Sequence, residues 1–237
     1  MAALDPDLLL RAYSIGVFPM ADSRDAPEVF WVEPRRRAIL PVDGFRMSRS
    51  LRKTIRSGIF SVTRDTAFRE VVRQCAEREE TWINAQIEQG FDDLHRLGHA
   101  HSIECWRDGR LVGGLYGVKL GAAFFGESMF SLERDASKVA LAWLVARLKV
   151  GGFRLLDCQF MTEHLRSLGA IEITQQDYVS LLSSALSSAP AAGLEGDRDR
   201  RGAEFGALDR LFSSDSARTV DSPASGCVIA QLLGQTS

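Results

Sequence analysis

The feature that most constrains the fold is one long helix-forming segment between two apolar, strand-forming segments. "RDASKVALAWLVARLKVGG" predicts a helix that Asp135 caps and Gly151-Gly152 ends. Apolar residues recur at helical spacing along it, and we expect this face to pack on a core: Ala140, Leu141, Leu144, Val145 and Leu148. "AAFFGES" precedes the helix and "RLLDCQF" follows it, and both are typical of strands. This strand–helix–strand unit predicts an α/β domain.

A hairpin is predicted upstream of this unit. In "HSIECWRDGRLVGGLYGV" apolar and polar residues roughly alternate, and Asp108-Gly109 is a strong two-residue turn signal. Downstream, "TEHLRSLG" predicts a short helix and "AIEIT" a last strand. The order of elements predicts an α/β chain of the α+β type, with helices on the faces of a mixed sheet. It is compatible with the acetyltransferase-like (acyl-CoA N-acyltransferase) fold.

The sequence on either side of these elements suggests that the chain has three parts. Helical periodicity predicts helices over 7–15, 48–57 and 66–78, with Asp65 as the N-cap of the third. From about residue 183 the sequence is rich in Ser, Ala, Gly and Asp, which is typical of a mobile tail. The final "CVIAQLLGQTS" turns apolar and predicts a docking strand. We therefore expect a small N-terminal segment (1–34), a main domain (35–182) and a low-complexity tail (183–237).

Composition and charge exclude several classes of protein. A formal net charge of −2 excludes a uniformly basic nucleic-acid binder, and four widely spaced cysteines favour reduced thiols over a disulfide framework or a zinc site. Acidic residues precede the N-terminal apolar stretch, which excludes a signal peptide, and no apolar run is long enough to span a membrane. His99 and His101 could share a strand face, but no acidic or thiol cluster accompanies them. We expect a cytoplasmic protein without a metal or a membrane partner.

Three groups capable of chemistry stand together in "LLDCQF". Strand alternation predicts that Asp157 and Gln159 share one face while Cys158 points the other way, where packing is its expected role. An Asp and a Gln in an apolar strand are costly unless they are hydrogen-bonded or face a cleft, so a structural pair and a functional pair both remain open. Glu127 in "FFGESMF" is a second carboxylate in apolar surroundings, which are either core or the walls of a pocket.

Positive charge is concentrated between residues 35 and 73. Eleven Arg or Lys residues lie there against three acids, which favours contacts with nucleic-acid phosphates, although a solvated face is the alternative. The start of the main helix reads "SLERDASK", which is acidic and contains no glycine. It therefore lacks the glycine-rich loop that would hold the pyrophosphate of coenzyme A, and we expect no such donor.

With these residues in view, the sequence resembles the leucyl/phenylalanyl-tRNA–protein transferases. An ordered series of motifs between residues 12 and 182 carries the resemblance: "AYSIGVFPMA", "TWI", "LGHAHSIE", "LVGGLYGV", "FFGESMFS", "DASKVAL", "LLDCQ", "HLRSLGA" and "DY". It implies a catalytic domain of acetyltransferase-like fold that uses aminoacyl-tRNA in place of acyl-CoA and needs no cofactor. It implies transfer of Leu or Phe, and of Met less readily, to proteins with N-terminal Arg or Lys, which marks them for N-degron proteolysis. Relative to the family the N-terminal segment is reduced, and we expect a monomer.

The resemblance also implies site residues. The catalytic Asp, Gln and supporting Glu of the family fall on Asp157, Gln159 and Glu127. The remaining substrate contacts fall on Leu115, Phe124, Met129, Leu144, Leu148, Leu156 and Trp82. From the basic region we expect tRNA contacts by Arg35, Arg36, Arg37, Arg49, Arg52 and Lys53. Our hypothesis is that Gln159 accepts a hydrogen bond from the attacking amine, that Asp157 orients the Gln159 amide and assists proton removal, and that Glu127 holds a cationic group.

Two other functions remain open from the sequence. One is a related aminoacyl-tRNA-dependent transferase with another acceptor, such as a peptidoglycan-type aminoacyl transferase. The other is a tRNA-binding module without catalysis, against which the presence of Asp157, Gln159 and Glu127 argues.

Overall fold

A computed structural model describes residues 4–187, 203–213 and 223–234. The helices in these ranges are α1 (Pro6–Ser14), α2 (Arg49–Ser57), α3 (Phe68–Ala76), α4 (Ala85–Arg96), α5 (Ala136–Val150), α6 (Glu163–Ser167), α7 (Gln175–Ser187), α8 (Ala207–Ser213) and α9 (Pro223–Leu232). The strands are β1 (Phe18–Met20), β2 (Phe30–Val32), β3 (Arg36–Ile39), β4 (Ser61–Arg64), β5 (Ala100–Arg107), β6 (Arg110–Leu120), β7 (Ala123–Ser131), β8 (Leu155–Gln159) and β9 (Ile171–Thr174).

A seven-stranded mixed sheet forms the centre of the fold. Its strand order is β4-β5-β6-β7-β8-β3-β9, while β1 and β2 form a separate antiparallel ribbon. Neighbouring strands in the sheet are antiparallel except β7 and β8, which are parallel and joined by α5. Parallel neighbours need a crossover connection, which the long helix supplies. The predicted mixed α/β class is confirmed.

Two apolar layers cover the two faces of this sheet. Strand alternation sends Leu115 and Leu156 to one layer and Tyr116 and Leu155 to the other. The first layer contains residues of α2, α5, α8 and α9, and the second contains residues of α1, α3, α4 and α7. The sheet is thus the middle of three layers.

Helix α5 is buried on nearly all sides. From Ala136 to Leu148 every residue except Lys138 is buried, because α2, α8 and α9 cover the side that faces away from the sheet. Asp135 occupies the predicted N-cap position, but its side chain makes no cap bond and instead lies 2.9 Å from Nζ of Lys138. Gly151 ends the helix as predicted. Within the described ranges no helix, α5 included, is both long and apolar enough to cross a membrane.

The predicted hairpin is confirmed and one predicted cap is wrong. Asp108 and Gly109 both have positive φ, 50° and 72°, as the two central residues of a type I′ turn require. Asp65 does not cap α3. Its carboxylate instead accepts the backbone N–H of Ser102 at 2.9 Å and lies 2.9 Å from Nδ1 of His101.

The predicted docking strand at the C-terminal end is wrong, because this segment forms helix α9. Ile229 and Leu233 lie four residues apart, a helical spacing, and both are buried in the layer that contains α5. Gly226 allows α9 to approach α2 closely, since a Cβ atom there would lie 2.1 Å from the carbonyl oxygen of Ile55. Residues 203–213 also pack on this layer, through Phe205 and Leu208. The rest of the predicted mobile tail, 188–202, 214–222 and 235–237, lies outside the described residues.

Candidate active site

A cavity lies where the pairing of β7 with β8 ends. The two strands are paired from Ala123 and Leu155 as far as Phe125 and Asp157. Beyond this point both chains border a cavity of about 370 Å³. Its lining residues are Arg78, Trp82, Leu115, Tyr116, Gly126, Glu127, Ser128, Met129, Leu141, Leu144, Leu156, Cys158, Gln159, Phe160, Thr162, His164 and Leu165.

One part of this cavity is apolar and agrees largely with the implied substrate pocket. Five of the seven implied residues line it: Trp82, Leu115, Met129, Leu144 and Leu156. The other two do not line it. Phe124 is fully buried and stacks on Phe205 at a centroid distance of 5.3 Å, and Leu148 lies one helical turn beyond Leu144 in the core. Leu141 lines the cavity in addition.

Asp157 lies behind the cavity and is surrounded by hydrogen-bond donors. It is 0% exposed and does not line the cavity. The Arg37 guanidinium donates to both of its oxygens, at 2.9 Å to Oδ1 from Nε and at 2.6 Å to Oδ2 from Nη2. The Tyr178 hydroxyl donates to Oδ2 at 2.8 Å, and the backbone N–H of Gln159 donates to Oδ1 at 2.8 Å. These contacts occupy both oxygens of the carboxylate.

The predicted tRNA contact by Arg37 is wrong. Arg37 is 1% exposed, and its Nη1 donates to the carbonyl oxygen of Gly16 at 2.9 Å. Its guanidinium lies over the rings of Phe18 and Tyr178, at 4.7 and 4.5 Å from their centroids. The reason is the strand order, because β3 lies beside β8 and brings this arginine to Asp157.

Gln159 connects Asp157 to the second carboxylate of the site. Its φ of 60° is left-handed, so the extended strand and its regular alternation end at this residue. Its side-chain Nε2 donates to Oε1 of Glu127 at 2.9 Å. The expectation that Asp157 orients the Gln159 amide is therefore wrong, because Asp157 holds the backbone of Gln159 while Glu127 holds the side chain.

Glu127 lines the cavity at the point where α1 meets β7. The hydroxyl of Tyr13 donates to Oε1 of Glu127 at 2.8 Å, while Oε2 is buried and has no hydrogen-bond partner in the part of the chain that the structure describes. Burial raises the pKa of the Glu127 carboxyl to about 7, although the hydrogen bonds from Tyr13 and Gln159 favour the charged form. This carboxyl therefore exchanges its proton near neutral pH.

Tyr13 and Tyr178 are site residues that the sequence reasoning missed. Both lie in motifs quoted above, "AYSIGVFPMA" and "DY", and both are buried. A tyrosine buried in a small protein usually needs a partner for its hydroxyl, which was the available signal. The sequence could not identify the partners, because Glu127 lies 114 residues from Tyr13 and Asp157 lies 21 residues from Tyr178.

Cys158, His164 and Arg78 are further polar residues that line the cavity. Burial raises the pKa of the Cys158 thiol, so the thiol stays protonated at neutral pH, in keeping with the packing role expected for it. Burial and the nearby Lys138 lower the pKa of His164, whose buried Nε2 has no partner among the described residues. Arg78 donates to the carbonyl oxygen of Met129 at the cavity rim.

The described residues contain no group of three or more His, Cys, Asp and Glu side chains placed to hold a metal ion. His101 lies on β5 against Asp65, whereas His99 precedes this strand. His101 also stacks on Phe205 at a centroid distance of 4.2 Å.

A basic surface lies on helix α2. Arg49, Arg52 and Lys53 are exposed there and border a concavity together with Arg56, which the prediction left out. Across the described ranges these four side chains form no ion pair with an acid. Their charges therefore remain available to an anionic partner.

The rest of the basic region is less available than the sequence suggested. Arg35 is exposed, whereas Arg36 pairs with Glu172 at 3.1 Å. Acids also neutralise three further arginines of the region. Arg64 pairs with Asp209 and Arg69 with Asp92, both from outside the region, while Arg73 pairs with Glu70 on the same helix. The excess of positive charge is thus largely confined to α2.

Comparison with known proteins places the chain in a family. The sequence profile of the leucyl/phenylalanyl-tRNA protein transferases matches residues 39–183, and the profile of their N-terminal domain matches residues 2–35. The leucyl/phenylalanyl-tRNA–protein transferase of Rhizorhabdus wittichii is 65% identical, with all of both chains covered. That of Novosphingobium aromaticivorans is 52% identical, over 99% of this chain and 97% of the relative.

Among solved structures, FemX has a TM-score of 0.45 at 12% identity, over 74% of this chain and 70% of its own. The sequence matches decide the assignment, because they cover both the N-terminal segment and the domain that holds the cavity. The chain belongs to the leucyl/phenylalanyl-tRNA–protein transferase family.

Proposed function

We propose that this protein transfers Leu or Phe, and Met less readily, from aminoacyl-tRNA to the N-terminal Arg or Lys of acceptor proteins, and so marks them for N-degron proteolysis. We also propose that it acts as a monomer in the cytoplasm. Family membership supports the reaction class. The observation that carries the proposal is the Gln159–Glu127 pair beside the apolar wall of one cavity.

The apolar wall suits the side chain of the transferred residue. Leucine and methionine side chains form it, and a Leu or Phe side chain gains free energy when it leaves water for such surroundings. Trp82 and Arg78 border the same cavity, where an aromatic ring and a cation suit the terminal nucleotide of the tRNA. The aminoacyl ester would then lie between the apolar wall and the polar pair.

Gln159 is placed to orient the attacking amine. Because its Nε2 is held by Glu127, its carbonyl Oε1 is fixed in direction, and no donor among the described residues reaches that oxygen. An amine that donates to Oε1 would be aligned for attack on the ester carbonyl. Aminolysis of an ester is downhill, so alignment of the two groups supplies much of the rate enhancement.

The tRNA body would lie along helix α2. Arg49, Arg52, Lys53 and Arg56 offer four cations on one surface, none of them paired with an acid of the described residues, and phosphate contacts of this kind dominate nucleic-acid affinity. Arg35 provides a further exposed cation immediately before β3.

One assay tests the proposal. Labelled Leu-tRNA or Phe-tRNA is incubated with the protein and with three peptides that differ only in an N-terminal Arg, Lys or Ala. We expect label on the Arg and Lys peptides and none on the Ala peptide. Equal label on all three would point to another acceptor class. No label on any, with tRNA binding retained, would point to a binding module without catalysis.

A further inference from the structure

We propose that Glu127 is the catalytic base that takes the proton from the α-ammonium of the acceptor, and that Asp157 is a positioning residue. The proposal rests on the proposed function, since it concerns the proton step of that same reaction. It differs from the expectation drawn from the sequence, in which Asp157 assisted proton removal.

The reaction needs a proton acceptor. An α-amino group has a pKa of roughly 7.7–8.0, so most acceptor N-termini are ammonium ions at neutral pH and cannot attack a carbonyl carbon. The amide of Gln159 can orient an amine, but amides are too weakly basic to hold its proton. A second group beside Gln159 must therefore take the proton.

Asp157 is poorly placed for this step. It does not line the cavity, and Arg37, Tyr178 and the backbone N–H of Gln159 donate to both of its oxygens. Protonation of this carboxylate would break a buried ion pair. What Asp157 does instead is hold the backbone of Gln159, whose left-handed φ of 60° is an uncommon conformation for a residue other than glycine.

Glu127 meets the geometric requirements. Its side chain lines the cavity, and its Oε1 is engaged by Tyr13 and Gln159. Its Oε2 has no partner among the described residues. Oε1 of Gln159 and the buried Oε2 of Glu127 belong to side chains joined by a single 2.9 Å hydrogen bond. An amine that donates to Oε1 of Gln159 would therefore lie next to the Glu127 carboxylate that takes its proton.

The surroundings of Glu127 are suited to proton exchange at neutral pH. The titratable and charged groups that face it are Tyr13 of α1, Arg37 of β3, Tyr116 of β6 and Asp157 of β8. Burial raises the pKa of Glu127 to about 7, close to the pH at which a general base is most effective. Burial also raises the pKa of Tyr13 and Tyr116, so both remain neutral hydroxyls.

The step balances in protons and electrons. One proton of the α-ammonium passes to the Glu127 carboxylate, and the nitrogen lone pair forms the new C–N bond at the ester carbonyl. The C–O bond to the terminal ribose then breaks, and its electron pair stays on the ribose oxygen. That oxygen takes a second proton from the nitrogen, and Glu127 releases its proton to water. The products are an amide, a free tRNA hydroxyl and one proton in solution.

The variant Glu127→Gln tests the base directly. It keeps an oxygen that accepts from Tyr13 and Gln159, and it replaces the proton-accepting Oε2 with an amide NH2 group. In single-turnover transfer from Leu-tRNA to an Arg-terminated peptide, the wild-type rate should rise with pH and level off near pH 7. The variant should be slower by roughly 10²–10⁴-fold at pH 7 and should show no plateau there. Retention of the wild-type pH profile, with or without a uniform loss of rate, would overturn the proposal.

Glu104→Gln is the matched control. Glu104 is a buried carboxylate outside the cavity that accepts from Ser102 and Thr63, the latter at 2.6 Å. We expect an unchanged pH profile for this variant. A lost plateau in Glu104→Gln would contradict the assignment to Glu127, because the loss would then follow from removal of any buried charge.

A second acceptor separates proton removal from positioning. A peptide that carries an aminooxy group in place of the α-amine of its N-terminal residue is uncharged at neutral pH and needs no base before attack. With this acceptor, the rate of Glu127→Gln should be less than tenfold below that of the wild type, and an undiminished difference in rate would contradict the proposal.

Tyr178→Phe, which removes one donor to Asp157, should lower the rate without changing the shape of the pH profile. If the wild-type protein transfers Leu but the variants do not show these rates and pH profiles, the assignment of the base to Glu127 is wrong. An inactive wild-type protein would instead overturn the proposed function.

Discussion

The Nη2 atom of Arg37 lies 2.6 Å from Oδ2 of Asp157, and both side chains are almost fully buried. We predict that Arg37→Met lowers the free energy of unfolding by about 3–5 kcal/mol, because it leaves an unpaired carboxylate in the interior. Urea denaturation at neutral pH measures this loss.

Arg36 provides the control for this prediction. It is the neighbour of Arg37 on β3, but its ion pair with Glu172 is exposed to solvent. Arg36→Met should cost less than about 1 kcal/mol. Equal losses in the two variants would contradict the importance given to the buried pair.

The pKa of Glu127 predicts how stability depends on pH. Because its folded-state pKa of about 7 lies above the ordinary value of 4.5, the neutral carboxyl favours the fold. Its contribution is fully present below pH 4.5 and is lost as the pH rises through 7. Relative to wild type, Glu127→Gln should therefore gain about 3 kcal/mol of stability between pH 4.5 and pH 8. Unfolding curves at both pH values measure the difference, and a constant offset would contradict the raised pKa.

The cavity predicts which residue sets side-chain preference. Leu144 lines the apolar wall, whereas Leu148, one turn further along α5, lies in the core. We expect Leu144→Ala to raise the ratio of Phe to Leu transfer on the order of tenfold, because the larger ring fills the added space. Leu148→Ala should cost roughly 2–5 kcal/mol of stability and leave the ratio unchanged. Competition between Phe-tRNA and Leu-tRNA measures the ratio of Phe to Leu transfer in each variant. A similar change of this ratio in both variants would contradict the placement of Leu144, and not Leu148, in the cavity wall.

Helix α2 predicts a salt-dependent effect on tRNA binding. Replacing Arg49, Arg52 and Lys53 by Gln should weaken binding and lower the slope of log affinity against log salt by roughly one for each lost phosphate contact. Titrations of aminoacyl-tRNA at several salt concentrations measure this slope. Arg154→Gln removes an exposed cation outside the α2 surface and should leave the slope unchanged.

The C-terminal segment predicts a further stability effect. Arg147 of α5 is buried, and its Nη2 lies 2.6 Å from Oδ1 of Asp209. Asp209→Asn should lower the free energy of unfolding by roughly 2–5 kcal/mol, since the buried cation loses its counter-charge. Asp43→Asn removes the exposed partner of Lys149 near the end of the same helix and should cost less than about 1 kcal/mol. Urea denaturation of both variants measures the two losses of unfolding free energy, and equal losses would contradict the prediction.

Much of the fold could be predicted from the sequence because its signals are local. The turn at Asp108-Gly109, the end of α5 at Gly151 and the strand that carries Asp157 each follow from a few adjacent residues. The apolar run that forms α9 also fits a strand, because a short apolar run does not distinguish the two, and the packing against α2 that favours the helix is a tertiary contact.

The site could be predicted only in part, because its contacts are long-range. The motifs named Asp157, Gln159 and Glu127, but the ion pair of Arg37 with Asp157 spans 120 residues. In the sequence Arg37 is one of three consecutive arginines, and nothing local separates it from its exposed neighbours. The partner of each carboxylate depends on strand order, which the sequence pattern did not specify.

The pairing of Arg147 with Asp209 has a consequence for the order of events during synthesis. The ribosome makes Asp209 62 residues after Arg147, when the sheet and α5 have already been translated. Until residue 209 has emerged, α5 carries a cation whose counter-charge does not yet exist, so the nascent domain cannot reach its final stability. We therefore expect residues 203–213 to dock after the sheet and α5 have formed, as a late, consolidating step of folding.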